Sequence, residues 1–543
     1  MPSEMGAGPR RGRWRLPAIG LSALVGTVVT LAMPAVLGRA LDAVVAGRDA
    51  TGWVATAGLL VAAGVAADLV DAIVVTACVA DTAARLRRRL VTHLLSIGPR
   101  GVSRFATGDL IGRISGNAAD AARAGPAVVT VAAAVVPPVG GLVLLVLIDL
   151  GVAAAFMVGL VLAALVLRAF TRRTAAAIGS YLVVQGRIAA RLAESLTGAR
   201  TIAAAGTVER EGRRVLEPLP ELSREGRRTW HALARSGAQA AVVGPLVLVA
   251  VLAAAGFALA AGRITPGELF AAGQYAALGV GLGGLTGVFG RLAQARAGRR
   301  RTDEVLGVPP VVYGQRDLPP GPGRLEFRGV VVADRLERLD LVVPGGACVA
   351  VVGRSGAGKS VLAALAARLR DPDAGVVLLD GVPVTELDHD ALRSAVACAF
   401  ERPVLIGGTV ADAIGMGLDA GAVRAAARAT SAHAFVARLP RGYDTPLAEA
   451  PMSGGEAQRL GLARAWPASR LLVLDDATSS LDVVTEMSVE RAFGDGRTRL
   501  VVTHRAGTAA RADLVAWLAE GRLRGVGRHG DLWADPEYRD LFR

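Results

Sequence analysis

Six apolar stretches of about twenty residues fill the first half of this 543-residue chain, and no other feature constrains its fold as tightly. They run at about 16–37, 53–80, 126–148, 152–170, 238–261 and 268–290, each near the ~20 residues that a helix needs to cross the hydrocarbon of a bilayer. One buried soluble helix of that kind is ordinary, whereas six in one half-chain are not. The whole chain is 52% hydrophobic with a mean hydropathy of +0.44, too apolar for a soluble enzyme of this size. The first stretch follows Arg10, Arg11, Arg13 and Arg15. It is longer than a signal-peptide core and lacks a convincing cleavage site, so it reads as a first span.

The net charge of +14 raises the possibility of a nucleic-acid partner. The arginines lie between apolar runs rather than on one aromatic-studded face, which is a membrane pattern, and no nucleic-acid partner is expected. They crowd the N-terminus, the connections Arg85–Arg123 and Arg168–Arg235, and the segment after Arg291. The other connections hold Arg39 and Arg48, then none, then Arg263. Arginine excess marks the cytoplasmic side, so both termini are expected inside a cell membrane crossed several times. Trp14 and Trp53 fall near span ends, and membrane lipid is an expected partner. The two long arginine-rich connections read as helices continuing below the membrane, forming hairpins able to touch another domain. Asp68 and Asp71 share one face of the second span; they either face a cavity or partner, or sit near the outer interface or pair with an arginine. Pro34, Pro137, Pro138 and Pro245 fall within spans and would shape a cavity.

Residues 307–324 are rich in proline and glycine and read as a linker. Beyond them, apolar strands alternate with helical stretches, arguing an α/β domain with a largely parallel sheet. Cys78, Cys348 and Cys398 have no paired spacing and read as small core residues, and the six histidines show no metal-ligand spacing.

The chemistry centres on Gly353, Arg354, Ser355, Gly356, Ala357, Gly358, Lys359 and Ser360, the pattern G-x-x-x-x-G-K-[ST] between an apolar strand and a helix. Backbone N–H groups at such a helix start close around phosphate oxygens. Lys359 would reach the β- and γ-phosphates of ATP, and Ser360 would place its hydroxyl on Mg²⁺. Lys359 is also the only lysine in the chain, so the other 60 basic residues are arginine. A second apolar strand, Leu471–Leu474, ends in Asp475 and Asp476, where one carboxylate can hold Mg²⁺ and the other can orient water. Ser453, Gly454, Gly455 and Glu456 open another helix, a second phosphate-binding end that one nucleotide on one subunit does not need.

The ordered set Gly353–Ser360, Met452–Glu456, Leu471–Asp476, Ser480–Asp482 and Thr503–Arg505 resembles the nucleotide-binding domain of ATP-binding cassette (ABC) transporters: Walker A, signature, Walker B, D-loop and H-switch in turn. Phe105–Arg113 resembles the first intracellular hairpin of exporters, and Gly262–Leu269 their short link before span six. The resemblance implies a half-transporter with an all-α six-helix transmembrane domain followed by an α/β P-loop NTPase (ABC ATPase) domain. Its expected division is 1–15 cytoplasmic N-terminus, 16–306 transmembrane domain, 307–324 linker and 325–543 nucleotide-binding domain. It further implies an ATPase coupled to transport, with ATP and Mg²⁺ as cofactors. Two chains would form a dimer in which each ATP lies between one P-loop and the other subunit's signature, and His504 acts at the hydrolytic centre.

Several positions depart from the family pattern. Asp476 stands where glutamate is usual, Glu401 where the Q-loop has glutamine (there it would approach Mg²⁺ with an added charge), and Glu456 where the signature has glutamine. No tyrosine lies near Val330–Asp334 to stack on adenine. These changes gather around the chain's own P-loop while Ser453-Gly454-Gly455 stays intact. A heterodimer is therefore expected, with a slow site at this P-loop; the alternative is a homodimer in which Asp476 serves adequately. The cargo expected is a peptide, lipid-like or small molecule moved out of the cell, and arginine- and alanine-rich usage resembles that of a high-GC actinobacterium. A non-transporting, ATP-gated regulatory membrane protein is the other functional class.

Overall fold

The computed structural model describes residues 14–280, 282–494 and 496–543. Arg10, Arg11 and Arg13 lie outside the described residues, as does Gly281 within the sixth expected span. The chain divides into two units: residues 1–92 with 106–307, and residues 93–105 with 308–543.

Among the described residues, the regular elements of the first unit are all helices. Its main helices are Arg15–Val45, Thr51–Ser96, Ala124–Ile148, Leu150–Thr197, Leu219–Ala260, Pro266–Val280 and Leu282–Leu306. Among the described residues, four helical runs are long and apolar enough to cross a membrane: Arg15–Val45, Thr51–Ser96, the run ending at Ile148, and Val242–Ala260. Leu150–Leu162, at the start of the fourth expected span, is a shorter apolar stretch. At 1.5 Å per residue, the 46 residues of Thr51–Ser96 extend roughly 70 Å, more than twice the ~30 Å of hydrocarbon. The polar half of this helix therefore has to lie outside the bilayer. Short helices and a π-helical turn at Arg113–Asn117 then return the chain to the next long helix.

The prolines do not break their helices, which run on through Pro34, through Pro137 and Pro138, and through Pro245. Neighbouring helices and local adjustments re-satisfy the backbone groups that proline frees in such segments. Asp149 makes the sharp turn between two helices: its Oδ1 accepts the N–H groups of Gly151 (2.8 Å) and Val152 (3.1 Å), capping the next helix. Arg263 secures the cap at 2.6 Å through Oδ2. Val152, Phe156, Val247, Val251, Ala272 and Tyr275 form the packed interior where the helices meet. Asp71 accepts a hydrogen bond from Ser22 Oγ (3.2 Å) rather than from an arginine, and Asp68 is exposed.

The second unit holds two sheets. The first comprises β1 (Leu325–Val332), β2 (Leu336–Val343), β4 (Ala374–Leu379) and β5 (Val382–Pro383), antiparallel in the order β2-β1-β4-β5. The second comprises β3 (Cys348–Val352), β6 (Val396–Phe400), β7 (Leu471–Asp475), β8 (Thr498–Val502), β9 (Leu514–Ala519) and β10 (Arg522–Gly527), ordered β10-β9-β3-β8-β7-β6. All its pairings are parallel except the β9–β10 edge. The antiparallel sheet is an addition to the largely parallel one that alternating strands and helices predict. Leu325, Phe327, Val343, Val351, Leu362 and Val473 belong to the core shared by the two sheets. Cys398 packs against that core, and Cys348 against a second core cluster.

Residues 307–324 are not a loose tether within this unit. Tyr313 lies under the guanidinium groups of Arg368 (4.5 Å to the ring centroid) and Arg393 (5.9 Å), with its hydroxyl accepting from Arg393 Nη2 at 3.1 Å. The hairpin segment 93–105 belongs to the same unit, because Ser96 O accepts from Val311 N (2.9 Å) and Arg100 lies 3.3 Å from Asp373.

Candidate functional site

The site is built on the carboxyl edge of the parallel sheet, where ligands of open α/β folds bind. Register explains why distant motifs meet there. Asp475 at the end of β7 is opposite Phe400 of β6 and Val502 of β8. Glu401, Asp476 and Thr503–His504 therefore leave three adjacent strands at one level.

β3 is buried on both faces, which its unbroken apolar run allows. It feeds directly into the loop 353–358 and the helix Lys359–Ala366. Gly353 has φ +155°, and a Cβ there would lie 2.2 Å from Leu518 O. Gly358 has φ +101°. Both conformations are open to glycine and strained for other residues. Lys359 Nζ donates to Gly353 O (2.8 Å) and Arg354 O (3.0 Å), folding its ammonium over the loop. Burial lowers the pKa of this lysine, against the opposing pull of Asp476 and Asp475. Beside the loop a cleft of about 600 Å³ is lined by Arg354, Ser355, Gly356 and Ala357 on one side and by residues including Trp517 and Glu520 on the other.

Ser360 Oγ donates to Asp475 Oδ1 at 3.0 Å, so the two oxygens assigned to Mg²⁺ are adjacent. Asp476 lies next to them with φ +49°, its N–H bonded to Val502 O at 3.2 Å. Its Oδ2 is 3.3 Å from His504 Nε2. Burial raises the pKa of both aspartates, while the Ser360 hydrogen bond lowers that of Asp475 and the charge of His504 lowers that of Asp476. A cavity of about 200 Å³ opens in front of them, with Glu401, Asp476, Ser479, His504 and Arg505 in its wall. Glu401 is exposed and 3.9 Å from Arg402; among the described residues its carboxylate makes no hydrogen bond to Ser360 or Asp475.

Ser453 caps the helix Gly454–Ala465. Its Oγ accepts from Glu456 N (3.3 Å), and Glu456 Oε2 reaches back to Ser453 N (2.8 Å) and Oγ (2.9 Å). This reciprocal capping box holds the Glu456 carboxylate on its own helix end. The Ser453 backbone N–H is the main cause of its lowered pKa. Within the chain, Ser453–Glu456 neighbour Ser480, and among the described residues no hydrogen bond joins them to the loop 353–358.

Two polar residues at this edge escape motif reading. Gln458, 2% exposed, touches both Glu401 and the Ser479–Ser480 segment. Glu486, also 2% exposed, meets Arg505. Their only trace in the sequence is a glutamine and a glutamate on helix faces shared with buried apolar residues, Leu462 for the first and Val489 for the second.

Comparison with known proteins points the same way. Residues 16–281 match the model of the ABC transporter transmembrane region, and residues 336–479 match the ABC transporter model. Over 534 residues the chain is 48% identical to the ABC transporter ATP-binding protein RamA of Streptomyces coelicolor, covering 96% of this chain and 84% of that protein. It is 30% identical over 597 residues to the mitochondrial ATP-binding cassette sub-family B member 10 of Mus musculus, covering 98% and 79%. A solved bacterial Atm1-family ABC exporter with ATP bound is similar with a TM-score of 0.81 and 26% identity, covering 98% of each chain.

Proposed function

The chain belongs to the ABC transporter family as an ATP-binding/permease subunit of exporter type, and from that premise we propose that its own nucleotide site holds ATP to clamp a dimer more than it turns ATP over. The observation that carries this reading is Asp476: a carboxylate one methylene shorter than glutamate, drawn to His504 at 3.3 Å. Small misplacements of a catalytic group can cost on the order of 10²-fold in rate.

The residues fit their cofactors. The Lys359 ammonium and the helix start behind it suit a triphosphate. The hydroxyl and carboxylate oxygens of Ser360 and Asp475, 3.0 Å apart, are the hard donors that Mg²⁺ would take, and Glu401, which lines the cavity beside Asp476, is the further oxygen donor of the set. Mg²⁺ supplies neutralisation of charge on the phosphates. In this scheme Asp476 orients the attacking water and His504 steadies that carboxylate. Ser453, Gly454 and Gly455 contribute a helix start to the partner's ATP, and the partner is a second half-transporter that carries glutamate at the position of Asp476. The membrane half, 16–306, crosses the cell membrane six times with both termini cytoplasmic, and 325–543 forms the cassette after the 307–324 linker. The cargo class is a peptide, lipid-like or small molecule leaving the cell.

The test is ATPase activity of the purified chain alone and with candidate partner halves. Slow turnover alone and fast turnover with a glutamate-bearing partner is the expected result. Brisk turnover by the lone chain, abolished by Asp476→Asn, would sink the proposal.

A further inference from the structure

Asp476 is a non-glycine residue in left-handed backbone, a conformation that persists where surrounding contacts over-determine it. The segment that follows supplies those contacts. Ser479 N donates to Asp476 O at 3.1 Å, and Leu481 N to Thr478 O at 3.0 Å, folding residues 476–481 into a compact turn. Two side chains from elsewhere grip this turn from separate elements.

Arg505, the residue after His504, donates Nη2 to Ser479 O (2.7 Å) and Leu481 O (3.1 Å). Its Nη1 reaches Glu486 Oε2 at 2.5 Å. Glu486 is in turn fixed, because its other oxygen accepts from Thr508 (2.7 Å) and Thr478 (3.2 Å). From the helix that Ser453 caps, Gln458 accepts the Ser480 N–H with Oε1 (2.9 Å) and donates Nε2 to Ser479 Oγ (2.9 Å) and Glu401 O (2.7 Å). The planar fork of arginine and the paired donor and acceptor of the amide each match two or more backbone groups at once. Gln458 is buried and Arg505 half-exposed, and both hold this turn through several hydrogen bonds at once.

We propose that Arg505, keyed by Glu486, and Gln458 are positioning residues for the Asp476 carboxylate. They act through the 476–481 turn, by holding its backbone, rather than on the reacting atoms. Gln458 also fixes the backbone at Glu401, so a shift of the capped helix reaches both walls of the cavity. The inference rests on the reading of Asp476 as the acid that orients water.

The experiment uses the full chain in nanodiscs, with single-turnover hydrolysis of γ-labelled ATP·Mg²⁺ and, separately, the affinity of a fluorescent ATP analogue. Arg505→Lys keeps the counter-charge of Glu486 but loses the fork, and Gln458→Leu removes the amide. Each is expected to slow hydrolysis roughly ten- to a hundredfold while affinity stays within about twofold, the pattern of a lost transition-state contribution. In an Asp476→Asn background the same substitutions should slow the residual rate no further. Should one variant fail to fold by its thermal unfolding profile, the other carries the same comparison. An equal slowing in the Asp476→Asn background, or no slowing in either single variant, overturns the inference and leaves the role of Asp476 standing. If Asp476→Asn alone leaves the rate unchanged, the reading of Asp476 fails and the positioning role falls with it.

Discussion

Replacing Asp476 by glutamate tests the proposal of a slow site most informatively, because it opposes two effects whose sizes the structure sets. The substitution adds one C–C bond, about 1.5 Å of reach, to a carboxylate that now lies 3.3 Å from His504 Nε2. A displacement of about 1 Å can be worth 10²-fold in rate, or about 2.7 kcal/mol of barrier. Single-turnover hydrolysis by the lone chain is expected to rise ten- to a hundredfold, with ATP affinity little changed. Against this, Asp476 has φ +49°, where a short side chain that bonds locally is better tolerated than a longer one. The variant should therefore lose stability, on the order of 1 kcal/mol, and unfold at a lower temperature. A folded Asp476→Glu chain whose hydrolysis stays level or falls would refute the argument that reach limits this site.

Other substitutions give further outcomes. Lys359→Ala removes the two bonds to Gly353 O and Arg354 O together with the only ammonium at the site, and should abolish ATP binding measured by the fluorescence of a labelled analogue. Glu456→Ala breaks the capping box and should lower stability by about 1 kcal/mol, while Glu456→Gln keeps a box-compatible side chain and should cost less; thermal unfolding separates the two. The Ser453 N–H depresses the Glu456 carboxylate, so its contribution is full above the ordinary glutamate pKa and is lost as pH falls through the lowered one. The stability gap between wild type and Glu456→Gln should accordingly narrow on acidification below about pH 4. Tyr313→Leu removes the ring beneath Arg368 and Arg393 and should destabilise by about 1 to 2 kcal/mol, read as a lower unfolding temperature.

Much of this was legible in the residues because one physical rule governed each feature. Apolar runs of membrane length mark helices, and G-x-x-x-x-G-K-S between strand and helix marks a phosphate loop. The Ser360–Asp475 contact and the proximity of Asp476 to His504 follow from motif order once the strands stand in register. The rest depended on tertiary context. Pro34, Pro137, Pro138 and Pro245 look like breaks in a sequence, yet helix neighbours accommodate them. Residues 307–324 have the composition of a linker, but Tyr313 docks between two arginines distant in sequence. Glu456 reads as a signature residue and turns out to cap its own helix. Gln458 and Glu486 carry no motif, since a lone polar residue on a helix is more often solvated than buried. Only folding brings their partners, Ser480 and Arg505, to them.

The central claim is that the P-loop holds ATP more than it consumes it. It is tested most directly by incubating the purified chain with Mg²⁺ and ATP labelled in both the base and the γ-phosphate, removing free nucleotide rapidly, and identifying what stays bound. Intact ATP, retained by wild type and absent from Lys359→Ala, is the predicted result. Bound ADP with released phosphate after the same interval would contradict the account.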